Sequence, residues 1–105
     1  MRYYKLKKQA DFNKLFNKGK RLFTPSLTVI YSPSTKLTMG ISVGKRHGKS
    51  VKRNRIKRLI REAFRLQADT LQGKYAFVII PKVAEEYTFD TFQNDIKWIF
   101  KKAQL

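Results

Sequence analysis

The sequence has no cysteine, a single histidine and few acidic residues, and each scarcity excludes a class of protein. Without cysteine, disulfide scaffolds, thiolate metal sites and cysteine nucleophiles are excluded. A nuclease that works by general acid and base normally uses two histidines or a histidine with a carboxylate, and His47 is alone. The acids are isolated except for Glu85 and Glu86, so we expect neither catalytic residues nor a metal site on this protein.

Long apolar runs are missing as well. No stretch approaches the roughly 20 apolar residues of a membrane span, and the residues after Met1 lack the apolar run of a secretory signal. The chain of 105 residues is 42% hydrophobic and 13% aromatic, which predicts a single domain over residues 1–105. The simplest expectation is a cytoplasmic protein without membrane contact.

Positive charge is what the chain has in excess. It holds 24 Lys and Arg against 7 Asp and Glu, a formal net charge of +17. Residues 1–61 contain 18 of these cations and only one acid, Asp11, whereas residues 62–105 contain six of each sign. Sequence neighbours cannot neutralise the cations between Asp11 and Glu62, so these groups must face acids elsewhere in the fold or a polyanion. We expect a polyanion.

The first half of the sequence predicts one short helix followed by strands. Phe12, Leu15 and Phe16 recur at helical spacing over residues 9–18, and Gly19 predicts a left-handed C-cap. Two alternating apolar segments, residues 27–31 and 36–43, flank the turn at residues 32–34 and predict an antiparallel hairpin. A further short strand is expected near residues 20–24.

The second half alternates helix, strand and helix. Ser50 is the expected N-cap of a long helix that ends near Ala68, and the residues at helical spacing that form its buried stripe are Ile56, Leu59, Ile60, Ala63, Phe64 and Gln67. The apolar run from Tyr75 to Ile80 predicts a core strand, and Thr88 predicts the cap of a last helix. The order α-β-β-α-β-α, with the short extra strand, indicates an α+β fold, an α/β sandwich with a small mixed four-stranded sheet.

The long helix turns a cationic face away from its buried stripe. Exposed helices usually mix charges of both signs, yet this helix has no acid before Glu62. Lys49, Lys52 and Arg53 also crowd its N-terminus, where the helix dipole disfavours cations and favours a phosphate. A merely solvated face is the alternative, and these two features count against it. The candidate nucleic-acid-binding residues are Lys52, Arg53, Asn54, Arg55, Lys57, Arg58, Arg61 and Arg65.

Phe12, Phe16 and Tyr31 are three of the aromatic residues in the segment that has almost no carboxylate. Such rings can stack on unpaired nucleotide bases, but rings at helical spacing are as often part of a core. The sequence leaves both interpretations open for Phe12 and Phe16. The polar neighbours of Tyr31 favour a surface position for its ring.

Residues 51–64, Val-Lys-Arg-Asn-Arg-Ile-Lys-Arg-Leu-Ile-Arg-Glu-Ala-Phe, resemble the signature of the bacterial ribonuclease P protein subunit. The pattern Asp11-Phe12-x-x-Leu15-Phe16-x-x-Gly19 resembles the first helix of that family. The segment Gly40-Ile41-Ser42-Val43-x-Lys45-Arg46 resembles its strand and loop before the signature, so that nearly the whole chain is covered.

The resemblance implies a fold like the second domain of ribosomal protein S5, with a left-handed β-α-β crossover. It also implies that a catalytic RNA, with Mg²⁺ bound mainly by RNA and substrate, removes the 5′ leader of precursor tRNA. The protein would then bind that RNA, one to one, through the cationic helix face. The residues that match a cleft for the single-stranded leader are Phe12, Phe16, Tyr31, Ser42, Lys45 and Arg46, with Lys57 at its edge.

Two other functions stay open from the residues alone. A ribosomal or other structural RNA-binding protein would share the charge of this chain. A stand-alone basic nuclease would have to rely on His47.

Overall fold

A computed structural model describes residues 3–105 of the chain, so residues 1 and 2 of the expected domain lie outside the described part. The elements, in chain order, are β1 (Tyr4–Lys5), α1 (Gln9–Lys18), β2 (Lys20–Phe23), β3 (Leu27–Pro33), β4 (Thr38–Ile41), a 3₁₀ turn (Lys45–His47), α2 (Ser50–Ala68), β5 (Tyr75–Pro81) and α3 (Phe89–Lys102). The α+β class and the order of the main elements are confirmed.

The strands form one mixed sheet in the order β1-β4-β5-β3-β2. The expected four-stranded sheet is wrong by one strand, because β1 adds the edge beside β4 through two residues only. Two residues are too short for a period to be visible in the sequence. The short strand expected near residues 20–24 is confirmed as β2, which pairs antiparallel with β3.

The expected hairpin between the strands around residues 27–31 and 36–43 is wrong. β5 lies between β3 and β4, antiparallel to the first and parallel to the second. The reason is burial: Phe77 and Val78 point to opposite faces of β5 and are both fully buried. A strand covered on both faces is most stable in the middle of a sheet, where both of its edges are hydrogen-bonded.

The two faces of the sheet carry different layers. Leu27, Val29 and Tyr31 belong to the main core with α2 and α3, whereas Ile30 belongs to a smaller cluster with Leu15 of α1. In the main core the Phe64 ring meets the rings of Phe77 and Phe100 edge-on, with centroids 5.4 and 6.0 Å apart.

The long helix buries most of the predicted stripe. Ile56, Ile60, Ala63 and Phe64 are buried, and Leu59 and Gln67 are half-buried. Thr88 is confirmed as the cap of α3, because its Oγ1 accepts a hydrogen bond from the Thr91 amide at 3.2 Å. No described helix, within residues 3–105, has the length and apolarity needed to cross a membrane.

The left-handed C-cap expected at Gly19 is wrong, since its backbone is extended with φ −74°. The residue is small for a different reason. A Cβ at this position would lie 2.5 Å from Cγ2 of Ile30 and 2.8 Å from the carbonyl oxygen of Leu15. Glycine therefore lets the end of α1 approach β3 closely.

We expect Gly19→Ala to lower the free energy of unfolding by about 1–3 kcal/mol, because the added methyl group must displace packed atoms. Gly44→Ala is the matched control, since a Cβ there meets nothing within 4 Å and φ is −136°. Urea unfolding measures both variants. Equal effects of the two substitutions would contradict the close approach at Gly19.

Candidate nucleic-acid interface

The loop that leads into α2 is locked to the end of β5 by His47. This side chain is 2% exposed, its Nδ1 accepts from the Gly44 amide at 3.1 Å, and its Nε2–H donates to the Pro81 carbonyl at 2.7 Å. Both ring nitrogens are thus used by the backbone. His47 consequently has no free nitrogen for general acid–base chemistry, which the nuclease alternative would need.

The cationic side chains of α2 lie where the helical period placed them. Lys52, Arg53 and Lys57 are half-buried at the margin of the face, and the residues that are exposed on it are Asn54, Arg55, Arg58, Arg61 and Arg65. The first turn of α2 contains no acid. The face therefore keeps its positive charge until Glu62.

The N-terminus of α2 is not capped by a side chain. Ser50 is the first helical residue rather than the expected N-cap, which is Lys49 in extended conformation. The Ser50 hydroxyl instead accepts a hydrogen bond from Nη2 of Arg53 at 3.1 Å, and Nε of Arg53 is buried without a partner. The backbone N–H groups of the first turn lack intrahelical acceptors, so a bound phosphate oxygen would satisfy them.

Besides Arg53, two further candidate cations have partners within the protein. Arg65 forms an ion pair with Glu62 at 2.5 Å, and the hydrogen bond to this carboxylate raises the pKa of Arg65. Nζ of Lys52 donates to the carbonyls of Ala84 and Glu85, each at 3.2 Å, and lies 5.4 Å from the centre of the Tyr87 ring. The uncompensated part of the face therefore runs from Arg53 to Arg61.

A cavity of about 120 Å³ adjoins this face at the β1 edge of the sheet. It is lined by Tyr3, Lys5, Leu6, Phe12, Met39, Gly40, Ile41, Lys57 and Arg61. Gly40 is in close contact with the aromatic ring, because a Cβ there would lie 2.7 Å from Cζ of Phe12. The cavity thus places an aromatic ring and two α2 cations around one opening.

Burial raises the pKa of Tyr3, and the nearby Arg61 partly opposes that rise. The Tyr3 hydroxyl therefore keeps its proton to a higher pH than a fully exposed tyrosine would. Sequence reasoning missed Tyr3 and Lys5 as site residues. The only signal for them was their alternation with Tyr4, which is too short to indicate a strand.

The structure brings together only some of the residues expected in a cleft. Phe12 and Phe16 are half-buried on α1, against the smaller core cluster. Half-buried Ser42 follows β4 on the same sheet face as Gly40, and Lys45 and Arg46 are exposed on the loop beyond it.

Tyr31 lies elsewhere, and its expected surface position is wrong. Its ring is 8% exposed and packs against Tyr75 and Phe77 in the main core, on the opposite face of the sheet from α1. The polar neighbours that favoured exposure, Thr28 and Ser32, point to the other face because strand residues alternate.

Three comparisons place the chain among known proteins. The sequence model of the family described as "Ribonuclease P" matches residues 1–104. The ribonuclease P protein component of Clostridium kluyveri is 39% identical over 100% of this chain and 98% of its own length. That of Staphylococcus carnosus is 34% identical over 97% of this chain and 91% of its own length.

Solved structures show the same similarity in three dimensions. The RNase P protein of Staphylococcus aureus superposes with a TM-score of 0.83 at 30% identity, covering 97% of this chain and 96% of that one. The protein of Thermotoga maritima also has a TM-score of 0.83, at 27% identity, with 93% and 96% covered.

The partners of Lys52 generate a prediction about salt dependence. Because its ammonium is held by two carbonyls, we expect Lys52→Met to lower the free energy of unfolding by about 0.5–1.5 kcal/mol. The slope of log affinity for a structured RNA against log salt concentration should hardly change. Arg58→Met, the control on the exposed face, should reduce that slope by about 0.7–0.9. If both variants reduce the salt slope equally, Lys52 contacts a phosphate.

Proposed function

The chain belongs to the ribonuclease P protein family, and we propose that it acts as the protein subunit that helps a catalytic RNA remove the 5′ leader from precursor tRNA. The observation that carries this proposal is the cationic face from Arg53 to Arg61, which has no acid of its own and borders an aromatic cavity. One protein molecule would bind one RNA subunit.

We assign the cleavage of the leader to the RNA because the side chains of the protein do not form a hydrolytic site. Within residues 3–105 no group of three or more His, Asp or Glu side chains could hold a metal ion. Mg²⁺ prefers oxygen ligands, and the surface proposed to face the RNA presents cations. We infer that Mg²⁺ is held by the RNA and the substrate, while the protein neutralises and positions phosphates.

Binding of the RNA subunit is assigned to the exposed part of α2. Arginine offers a planar fork that can bind one phosphate through two hydrogen bonds, and the exposed residues Arg55, Arg58 and Arg61 supply three such groups. Half-buried Arg53, whose Nη2 donates to Ser50, adds its charge at the start of the helix. Each cation that meets a phosphate releases condensed counterions, which makes the affinity fall with salt. The free amides at the start of α2 add to the same surface.

The leader is assigned to the cavity beside this surface. An unpaired base of the leader can stack on Phe12, while Lys57 and Arg61 contact the flanking phosphates. Ser42 extends the path along the sheet face of Gly40, exposed Lys45 and Arg46 follow on the loop beyond it, and Phe16 lies further along α1. Tyr31 takes no direct part in this account, since its ring is in the main core.

A ribosomal or structural RNA-binding role is the alternative that the composition left open. No observation on the interface favours it. The cytoplasmic location stays a prediction.

Reconstitution with a bacterial ribonuclease P RNA tests the proposal. At low Mg²⁺ concentration the protein should increase cleavage of precursor tRNA well above the rate of RNA alone, because protein cations replace part of the ionic screening. A protein with Arg55, Arg58 and Arg61 changed to Met is the control and should lose most of this increase. Cleavage no faster than that of RNA alone would overturn the proposal.

Phe12→Ala tests the leader site separately. Loss of one stacking ring should weaken binding of precursor tRNA to the holoenzyme by about 1–3 kcal/mol and leave mature tRNA unaffected. Tyr31→Leu, which keeps a large apolar side chain in the core, should leave the ratio of the two affinities unchanged. If Phe12→Ala weakens the binding of precursor and mature tRNA equally, the ring of Phe12 has a purely structural role.

A further inference from the structure

A second aromatic surface lies at the end of β2, far from the cavity beside α2. Phe23 is 59% exposed and Trp98 of α3 is 48% exposed. Together they border a cavity of about 360 Å³, and its lining residues are Phe23, Thr24, Pro25, Asn94, Asp95 and Trp98. We call these six residues the β2-edge pocket. Two large rings left in water around one opening make this pocket a candidate contact surface.

Side-chain hydrogen bonds connect the segments that form the β2-edge pocket. The Asp95 carboxylate accepts hydrogen bonds from both the amide and the hydroxyl of Ser26, which fastens the β2–β3 turn to α3. Within the turn, Oγ1 of Thr24 accepts from the Leu27 amide at 2.9 Å. The turn that follows Phe23 and the helix that carries Trp98 are therefore linked by hydrogen bonds.

The polar groups of the pocket suit the edge of a nucleotide base. Neither the indole N–H of Trp98 nor the Asn94 amide has a hydrogen-bond partner among residues 3–105. Nζ of Lys82 lies 6.0 Å from the centre of the Phe23 ring, where it could also meet a phosphate. Exposed Lys20 precedes Phe23 along β2, whereas Nη2 of Arg21 donates to the Phe16 carbonyl at 2.8 Å. Aromatic faces, free donors and neighbouring cations form the set that binds unpaired nucleotides.

A second copy of the chain is a poorer occupant. Each copy carries a net charge of +17, so self-association at this edge works against strong repulsion. An RNA strand instead gains from the same charge. We propose that the β2-edge pocket binds an unpaired nucleotide of the RNA subunit, by stacking on Phe23 and Trp98. This proposal rests on the proposed function, which supplies the RNA.

The position in the sheet favours the RNA subunit over the substrate as the source. β1 and β2 are the opposite edges of the five-stranded sheet, and four strand spacings of about 4.8 Å separate them by roughly 19 Å. The leader is assigned to the β1 edge. A contact at the β2 edge would let the RNA subunit hold the protein from a second side.

Trp98 is the only tryptophan in the chain, so its fluorescence reports on this pocket alone. In the free protein an added neutral quencher such as acrylamide should reach the ring. After addition of the RNA subunit, without substrate, the quenching constant should fall several-fold. Shielding that appears only with precursor tRNA would overturn the assignment to the RNA subunit. Shielding that grows with protein concentration in the absence of RNA would favour self-association instead.

A variant measures how much the pocket contributes. Phe23→Ala should weaken binding of the RNA subunit about 5- to 150-fold, the equivalent of one stacking contact, without changing the salt slope. Leu66→Ala, an exposed apolar residue on the distal half of α2, is the matched control and should bind normally. The preference of the holoenzyme for precursor over mature tRNA should be retained in both variants.

The outcomes separate this inference from the proposed function. If the wild-type protein stimulates cleavage at low Mg²⁺ while Trp98 stays fully accessible in the holoenzyme, only the β2-edge pocket is refuted. If the protein gives no stimulation with the RNA subunit, the proposed function itself fails.

Discussion

The parallel pairing of β4 with β5 is the constraint on which the rest of the structure depends. Parallel neighbours cannot be joined by a tight turn, so the chain between them must cross the sheet, and α2 is that crossing. Because the helix lies on the sheet, one side must be apolar and the other faces water. Ile56, Ile60 and Phe64 fill the first side. The positive charge of the segment is therefore collected on the second.

This collection of charge is unfavourable for the isolated protein. Cations at the start of α2 oppose the helix dipole, and the face between Arg53 and Arg61 contains no carboxylate. The protein offsets part of the repulsion internally, with Glu62 beside Arg65 and with two backbone carbonyls at Lys52. Arg53 donates only to the neutral Ser50 hydroxyl, and Arg55, Lys57, Arg58 and Arg61 have no hydrogen-bond or ion-pair partner among residues 3–105. In the proposed function a structured RNA would neutralise them, so that a feature that weakens the free protein becomes useful in a ribonucleoprotein.

Patterns that extend over many residues of the sequence were sufficient to predict the main helices and the central strand. The stripe of α2, the cap at Thr88 and the buried run of β5 each involve many residues or a specific side chain. Strand partners were not predictable, since an alternating pattern identifies a buried face but not the neighbouring strand, and β1 has only two residues. The Tyr31 error arose from assigning its polar neighbours to the same face. Gly19 shows that glycine after a helix can mark a close approach instead of a left-handed backbone.

The central claim is that the outward face of α2 binds phosphates of the RNA subunit. The most direct test is the affinity of the wild-type protein for the ribonuclease P RNA as a function of salt concentration. If roughly 6–10 phosphates are neutralised, affinity should fall by about 10³- to 10⁵-fold between 50 and 200 mM monovalent salt. An affinity that is nearly constant over this range would contradict the claim.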